Sequence, residues 1–392
     1  MDKKVKAVLV VLIACLLVSG IIYAVIKTGP GPDIADNTTP APAATSSVNP
    51  EPLQPSETPA DTPEATPDAT PDPSEERPGR LVRTDYEDFQ PNESGEIPII
   101  MFHRFVEEYD GTDKEYTTTF REFEALLEDL YNCGFRLISM RDFIECNIDV
   151  PAGTMPMVFT FDDGTPGQFS LIEENGTLKV NPKSAVGIMM AFNEKHPDFG
   201  LKGIFYVNMD IGDNTFKGAG TLKDRFEFLL EHGFELGTHT WGHINYKTQA
   251  KSAEDVINSL GKNQKAAYSV IPDLEFYSLA LPYGSIPQSD ALKAYLREGT
   301  YEDIHYVHQS IMAVGANPSK PSISPDYNPD YVPRIRSQGM EPVLQDLTWW
   351  LPKMTPERMF VSDGDPNTIV VPESRKDRVD PTRLNGKTLI TY

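Results

Sequence analysis

The stretch Met157-Val158-Phe159-Thr160-Phe161-Asp162-Asp163-Gly164 decides how this chain folds. Five apolar or β-branched residues are too few for a helix and read as a fully buried strand. The run stops at two adjacent carboxylates and a glycine, so it delivers an acid pair to a strand end. Working outward, the same grammar recurs. Ile97-Pro98-Ile99-Ile100-Met101-Phe102 is a buried run that ends in His103-Arg104, and Arg136-Leu137-Ile138-Ser139 and Ile204-Phe205-Tyr206-Val207 are two more short strands. Phe234-Glu235-Leu236-Gly237 precedes Thr238-His239-Thr240-Trp241-Gly242-His243, and Leu279-Ala280-Leu281 precedes Pro282-Tyr283-Gly284. Ile311-Met312-Ala313-Val314 and Val332-Pro333-Arg334-Ile335-Arg336 complete the set.

Helical spacing separates these runs. Phe120, Phe123, Leu126, Leu127 and Leu130 share one face, and Gly134 ends that helix; residues 223–232 form another, stopped by Gly233, and residues 253–269 a third. Strands alternating with helices imply an α/β fold with a parallel sheet. The polar signatures follow strand C-terminal ends, where barrel and open α/β sites both lie. Signatures from at least four strand ends must converge, which predicts a distorted (β/α) barrel of about seven strands over residues 95–392.

His239 and His243, four apart, face one way if their segment turns helically. One carboxylate from a distant strand end then completes a three-ligand site with an open position, the pattern of a catalytic zinc ion. The neighbouring carboxylate stays free to take a proton from water. Each motif alone is bland: Asp-Asp-Gly and Pro-Tyr-Gly are common turns. Their order, each after a strand in one domain, is what points to chemistry.

Thr160-Phe161-Asp162-Asp163-Gly164, Thr238-His239-Thr240-Trp241-Gly242-His243 and Leu281-Pro282-Tyr283-Gly284 together resemble the polysaccharide deacetylase family, also known as the NodB-homology or carbohydrate esterase family 4 domain. The likeness is clear over residues 97–285. The opening run, Ile97 to Arg104, looks like that of the branch holding poly-N-acetylglucosamine deacetylases. The resemblance implies that Asp163, His239 and His243 bind a divalent metal, usually zinc in this family, and that Asp162 is the general base. The catalytic acid of the family is a histidine late in the chain. No such motif follows Tyr283, and the permuted branch carries its acid histidine in the first strand, which assigns His103 here. The Tyr283 backbone N–H is expected to donate to the oxyanion. One departure stands out: the family's third motif holds an arginine against the base carboxylate, and that position is Ala280. Arg104, Arg334 and Arg336 are the alternatives for its replacement.

The remaining 94 residues are of two other kinds. Residues 7–26 carry no charge and are long enough to span a bilayer, while Lys3, Lys4 and Lys6 place residues 1–6 in the cytoplasm. A single-pass anchor with an extracellular catalytic domain is therefore expected. Residues 27–94 are rich in Pro, Thr, Ala, Ser, Asp and Glu and bury too little to fold, so they read as a disordered stalk. Residues 28–95 hold 14 acids against 3 bases, about half of the chain's net −23. That acidity belongs to the stalk and argues against a nucleic-acid partner. Two cysteines of the domain, Cys133 and Cys146, lie 13 apart and are expected to stay unpaired. His305 and His308 read as structural, Trp349 and Trp350 as core, and Asp363-Gly364-Asp365-Pro366-Asn367 as a hairpin turn rather than a calcium loop.

The expected function is metal-dependent removal of N-acetyl groups from N-acetylglucosamine residues of a cell-wall or surface polysaccharide, releasing acetate. Two rivals are an O-acetyl esterase acting on glycans and a degenerate, glycan-binding member without turnover, which Ala280 favours.

Overall fold

Residues Met155–Asp162 form the longest strand among the described residues and all eight are buried. In the computed structural model, which describes residues 81–337 and 343–392, this strand sits near the middle of the main sheet. The strands of that sheet are β1 (Ile99–Phe102), β2 (Phe135–Leu137), β3 (Met155–Asp162), β4 (Ile204–Val207), β5 (Glu235–Thr238), β6 (Ser278–Ala280), β7 (Ser310–Met312) and β8 (Ile335–Arg336). Seven of them run in the order β7-β6-β5-β4-β3-β1-β8, and β2 pairs with the start of β3. Every pairing is parallel. The path is curled: a parallel bridge joins Met312 at the β7 edge to Val332, three residues before β8. The architecture is thus α/β with a curled parallel sheet, seven strands along its path and β2 beside β3.

Strand periodicity sorts the side chains of β3 onto two faces. Met157, Phe159 and Phe161 face outward into the main core, under the helices α1 (Phe120–Asn132), α3 (Ala185–Lys195) and α4 (Leu222–Glu231). The Phe161 ring stacks between Phe102 and Phe205, with centroids 5.3 and 4.6 Å away. Val158 faces inward with Ile99, Tyr206, Ala280 and Met312. Thr160 and Asp162 share its face, so the fold puts a carboxylate inside the curl.

Local signals explain the helix starts. Thr119 and Glu122 form a capping box on α1, and Ser139 and Asp142 do so on α2 (Met140–Glu145). Helix α3 has no counterpart in the sequence reading. Six of its residues are buried, from Ala185 to Phe192, so it shows no clean polar stripe for a period of 3.6 to reveal.

Three expectations need correction or placing. Residues 81–94, assigned to the stalk by composition, pack on the domain. Asn92 bridges to Val361, and buried Glu93 accepts from the Asp363 and Val370 amides. These partners lie about 270 residues away, so local composition cannot announce them. The Asp363-Gly364-Asp365 turn does not make a hairpin: it feeds Thr368–Val371, which pairs in parallel with Thr388–Thr391. The anchor at 7–26 and the stalk up to 80 lie outside the described residues, among which no helix is long and apolar enough to cross a membrane. Cys133 and Cys146 are not joined by a disulfide.

His308 shows what burial does to a histidine away from the site. It is 1% exposed, its Nδ1 donates to the Leu296 carbonyl at 2.6 Å, and burial pulls its pKa down to about 4. The unfolded chain takes up this proton near pH 6.5 while the folded one refuses it, so stability falls as pH drops through that window. Urea unfolding at pH 7 and pH 5 should show His308 costing about 2 kcal/mol over that interval. His308→Gln should flatten this part of the pH dependence; an unchanged slope would clear His308.

Candidate metal centre and active site

The described chain brings Asp163, His239 and His243 together, and they are the one Asp/Glu/His/Cys cluster among the described residues fit to hold a metal. Asp163 follows the last residue of β3 and His239 follows β5, two strands that flank β4. The His239–His243 segment is a turn and not the helical one expected. Thr240 and His243 have φ of 71° and 45°, and Gly242 has φ of 75°. Asp163 and Tyr283 are also left-handed, at 82° and 58°. Non-glycine residues pay strain for this conformation, and four of them, Asp163, Thr240, His243 and Tyr283, lie within the three motifs. The result is to aim donors that a regular strand or helix would splay.

The donor spacing fits a small cation. His239 Nε2 and His243 Nε2 are 3.1 Å apart, and Asp163 Oδ1 lies 3.4 Å from the first and 3.6 Å from the second. A tetrahedral ion with bonds of about 2.1 Å holds its ligand atoms about 3.4 Å apart. The tautomer is also suited: His239 Nδ1 is 2.9 Å from the Ala280 carbonyl, so it carries the hydrogen and leaves the Nε2 lone pair for a metal. Burial opposes charge on His239, yet the Asp162 and Asp163 carboxylates outweigh it and raise its pKa. Burial also works against ionised Asp163, and the hydrogen bond and charge of His239 overcome it, keeping the carboxyl well below the usual range. Two nitrogens and a carboxylate oxygen, open on one side with His243 and Asp163 part-exposed, are a donor set for a divalent ion.

Asp162 is separate from that trio. It is 1% exposed, and both its oxygens are gripped by Arg334: Nη1 to Oδ1 at 2.7 Å and Nη2 to Oδ2 at 2.8 Å. Burial alone would push its pKa up; the Arg334 and His239 charges more than reverse this and hold it below the ordinary value. Arg334 is itself fully buried and is fixed by the Ala313 carbonyl at 2.8 Å and Thr160 Oγ1 at 3.0 Å. Of the three alternatives for the missing arginine, the structure selects Arg334. Arg104 pairs with Asp110, and Arg336 pairs with Asp346 and Glu115. The guanidinium comes from the segment between the β7 bridge and β8, where the resemblance would have it on β6 at Ala280.

His103 follows β1, and its Nε2 lies 3.7 Å from Asp162 Oδ2. Burial lowers its pKa, against the pull of Asp162 and Asp163. Its Nδ1 is buried with no hydrogen-bond partner. The ring meets Tyr116 edge-on at 4.8 Å, and across the site the His243 ring meets Tyr283 at 4.6 Å. Tyr116 is 37% exposed, Tyr283 65% and Trp241 37%, so aromatic faces stand on both sides of the donors. Trp350 is core and donates to Ala316, and Lys353 covers Trp349. His308 is buried on Leu296, and exposed His305 lies near Glu298; neither joins the site.

Sequence reasoning missed the supports. Asn208 donates to the His239 and Thr240 carbonyls, the latter at 2.8 Å. Asn263 donates to Val207 O and Thr238 Oγ1, at 2.9 and 2.8 Å, and accepts from the Met209 amide. Gln168 donates to the His103 and Asp162 carbonyls. Their one sequence signal is polarity inside otherwise apolar surroundings, as for Asn263 on α5 (Ala253–Val270).

Comparison with known proteins follows the same lines. A family model described as polysaccharide deacetylase matches residues 150–302. That span holds Asp162, Asp163, His239, His243 and Tyr283, while His103 precedes it and Arg334 follows it. No curated protein matches the chain. Among solved structures, Streptococcus pyogenes deacetylase PplD in complex with acetate is 14% identical, covering 67% of this chain and 96% of its own, at a TM-score of 0.45. A polysaccharide deacetylase from Bacillus cereus is 17% identical, over 64% and 67%, at 0.47. IcaB from Ammonifex degensii is 16% identical, over 64% and 94%, at 0.43. Over residues 150–302, then, the chain is similar to the polysaccharide deacetylase family.

Proposed function

We propose that this protein hydrolyses N-acetyl groups on N-acetylglucosamine residues of a cell-wall or surface polysaccharide and releases acetate, using a divalent cation for which zinc is the first choice. The observation that carries the reading is the division of labour between adjacent carboxylates. Asp163 stands with two imidazole nitrogens, and Asp162 is withdrawn 1% exposed onto Arg334. A cation held by Asp163, His239 and His243 supplies Lewis acidity, which acidifies water and polarises an acyl oxygen.

The chain's own residues do the rest. Asp162, kept ionised by Arg334, accepts a proton as water adds to the acyl carbon. The Tyr283 backbone N–H is assigned to the oxyanion, a contact typically worth about 3 kcal/mol. His103 donates from Nε2 to the departing nitrogen, without which an amine is a poor leaving group. Tyr116, Tyr283 and Trp241 offer rings for the apolar faces of sugars. A single-pass anchor at 7–26 and a stalk would keep the domain outside the cell within reach of the wall.

The degenerate, binding-only reading drew on Ala280 and on the absence of a late histidine; the guanidinium of Arg334 on Asp162 weighs against the first of these. The O-acetyl esterase reading keeps one support. Burial holds His103 below an ordinary histidine, and an ester needs less proton delivery than an amide. Acetate release from chitooligosaccharides and from O-acetylated xylan, with zinc or cobalt and after chelation, tests the choice. Release from chitooligosaccharides that chelation abolishes is expected. Release from xylan alone moves the function to the esterase, and none from either, with metal bound, moves it to binding. His103→Ala should keep the metal and slow amide cleavage by about 10²-fold or more; unchanged kinetics would place the acid elsewhere.

A further inference from the structure

The ladder between β1 and β3 ends at the pair Phe102 and Phe161. The next residues on the two strands are His103 and Asp162, and there a side chain takes over from the ladder. Gln168 is 0% exposed, and its amide Nε2 donates to the His103 carbonyl at 2.6 Å and to the Asp162 carbonyl as well. Its Oε1 accepts from the Thr165 amide at 3.2 Å, which fixes which end of the side chain is the donor. A second contact presses the same loop onto the same strand extension. A Cβ built on Gly167 would lie 2.1 Å from the Phe105 carbonyl oxygen, so only glycine allows this approach.

Resting on the deacetylase reading above, we propose that Gln168 is a positioning residue that sets the distance between the acid and the base. It replaces the missing rung with one amide shared by both backbones, next to the two side chains whose Nε2 and Oδ2 stand 3.7 Å apart. Buried carbonyls need such a donor, and Thr165 Oγ1, 3.5 Å from the His103 oxygen, is only a long second partner for one of the two. The hydrogen bonds of Gln168 go to the backbone of His103, Asp162 and Thr165 and not to the side chains of the metal donors or Arg334, so its loss should separate proton delivery from metal binding. A misplacement of about 1 Å can cost about 10²-fold in rate.

The test uses the full chain with zinc and compares Gln168→Met, which keeps the shape and removes the donor, with wild type on two substrates. A chitooligosaccharide amide needs its leaving nitrogen protonated; 4-nitrophenyl acetate does not. The expected result is unchanged zinc stoichiometry, kcat on the amide down about 10²-fold with KM little changed, and kcat on the ester within about 3-fold. In a His103→Ala background, Gln168→Met should add little on the amide, because the residue it positions is gone. Gly167→Ala should reproduce the split by lifting the loop from Phe105. Equal losses on both substrates, additive losses in the double variant, or failure of both variants to fold with zinc would assign Gln168 to folding alone and overturn the proposal. Wild type inactive on both substrates would instead sink the deacetylase reading, and the proposal with it.

Discussion

Arg334→Met should leave a soluble but crippled protein: stability down by about 3–5 kcal/mol and acetate release down by at least 10²-fold. The fork from Arg334 satisfies both oxygens of a carboxylate that is 1% exposed, and nothing else of positive charge lies as close. Removing one partner of a buried pair strands the other, which is why the cost exceeds the net worth of the pair. Without the guanidinium the largest influence holding Asp162 down is gone and burial pushes its pKa up, so less of this carboxyl is ionised at a given pH. Activity should then recover as pH increases, until metal-site or stability losses intervene. The double variant Arg334→Met, Asp162→Asn separates the two effects. It should regain most of the lost stability, since no charge remains to strand, and regain no activity. Urea unfolding beside acetate release reads both quantities. A single Arg334→Met variant with wild-type stability and rate would mean that the buried fork is ornamental.

Asp162→Asn and Asp163→Ala should divide the adjacent carboxylates cleanly. Asp163→Ala removes the one carboxylate oxygen beside both Nε2 atoms, and zinc stoichiometry measured after dialysis should fall to near zero with activity. Asp162→Asn leaves all three donors in place, so stoichiometry should remain at one while kcat drops by about 10²–10⁴-fold, the usual worth of a positioned base. Full activity in Asp162→Asn would strip Asp162 of its role. Retained zinc in Asp163→Ala would place the metal elsewhere.

The site's chemistry-bearing residues were largely legible, because each sits directly after an apolar run. Asp162, Asp163, His239 and His243 could be aligned from strand ends alone, whereas the missing arginine at 280 shows only against the motif of the family that the chain resembles. The replacement could be narrowed to Arg104, Arg334 and Arg336 but not chosen. All three arginines neighbour apolar residues, and only the curl of the sheet decides which one points inward. Gln168 lay beyond reach for another reason. A glutamine in a Gly/Pro/Thr loop reads as solvated, and nothing in a linear pattern tells that the His103 and Asp162 carbonyls lose their ladder partners together. The left-handed turn at His239–His243 was also hidden, since spacing of four suits a helix equally well. Residues 81–94 show the same limit at a boundary: composition describes the chain's surroundings poorly when the partners, such as Val361 and Val370, are distant.

The donor and acceptor of the Arg334–Asp162 fork are 172 residues apart in the chain. A ribosome delivers Asp162 long before its counterion, so the nascent domain carries an acid at its heart with no cation to quench it. Until residue 334 emerges, that carboxylate must stay wet or take a proton, and the inner face cannot seal around it. The fork therefore closes only with the last strand of the curl, and a product truncated before that point carries Asp163, His239 and His243 yet leaves Asp162 without its guanidinium.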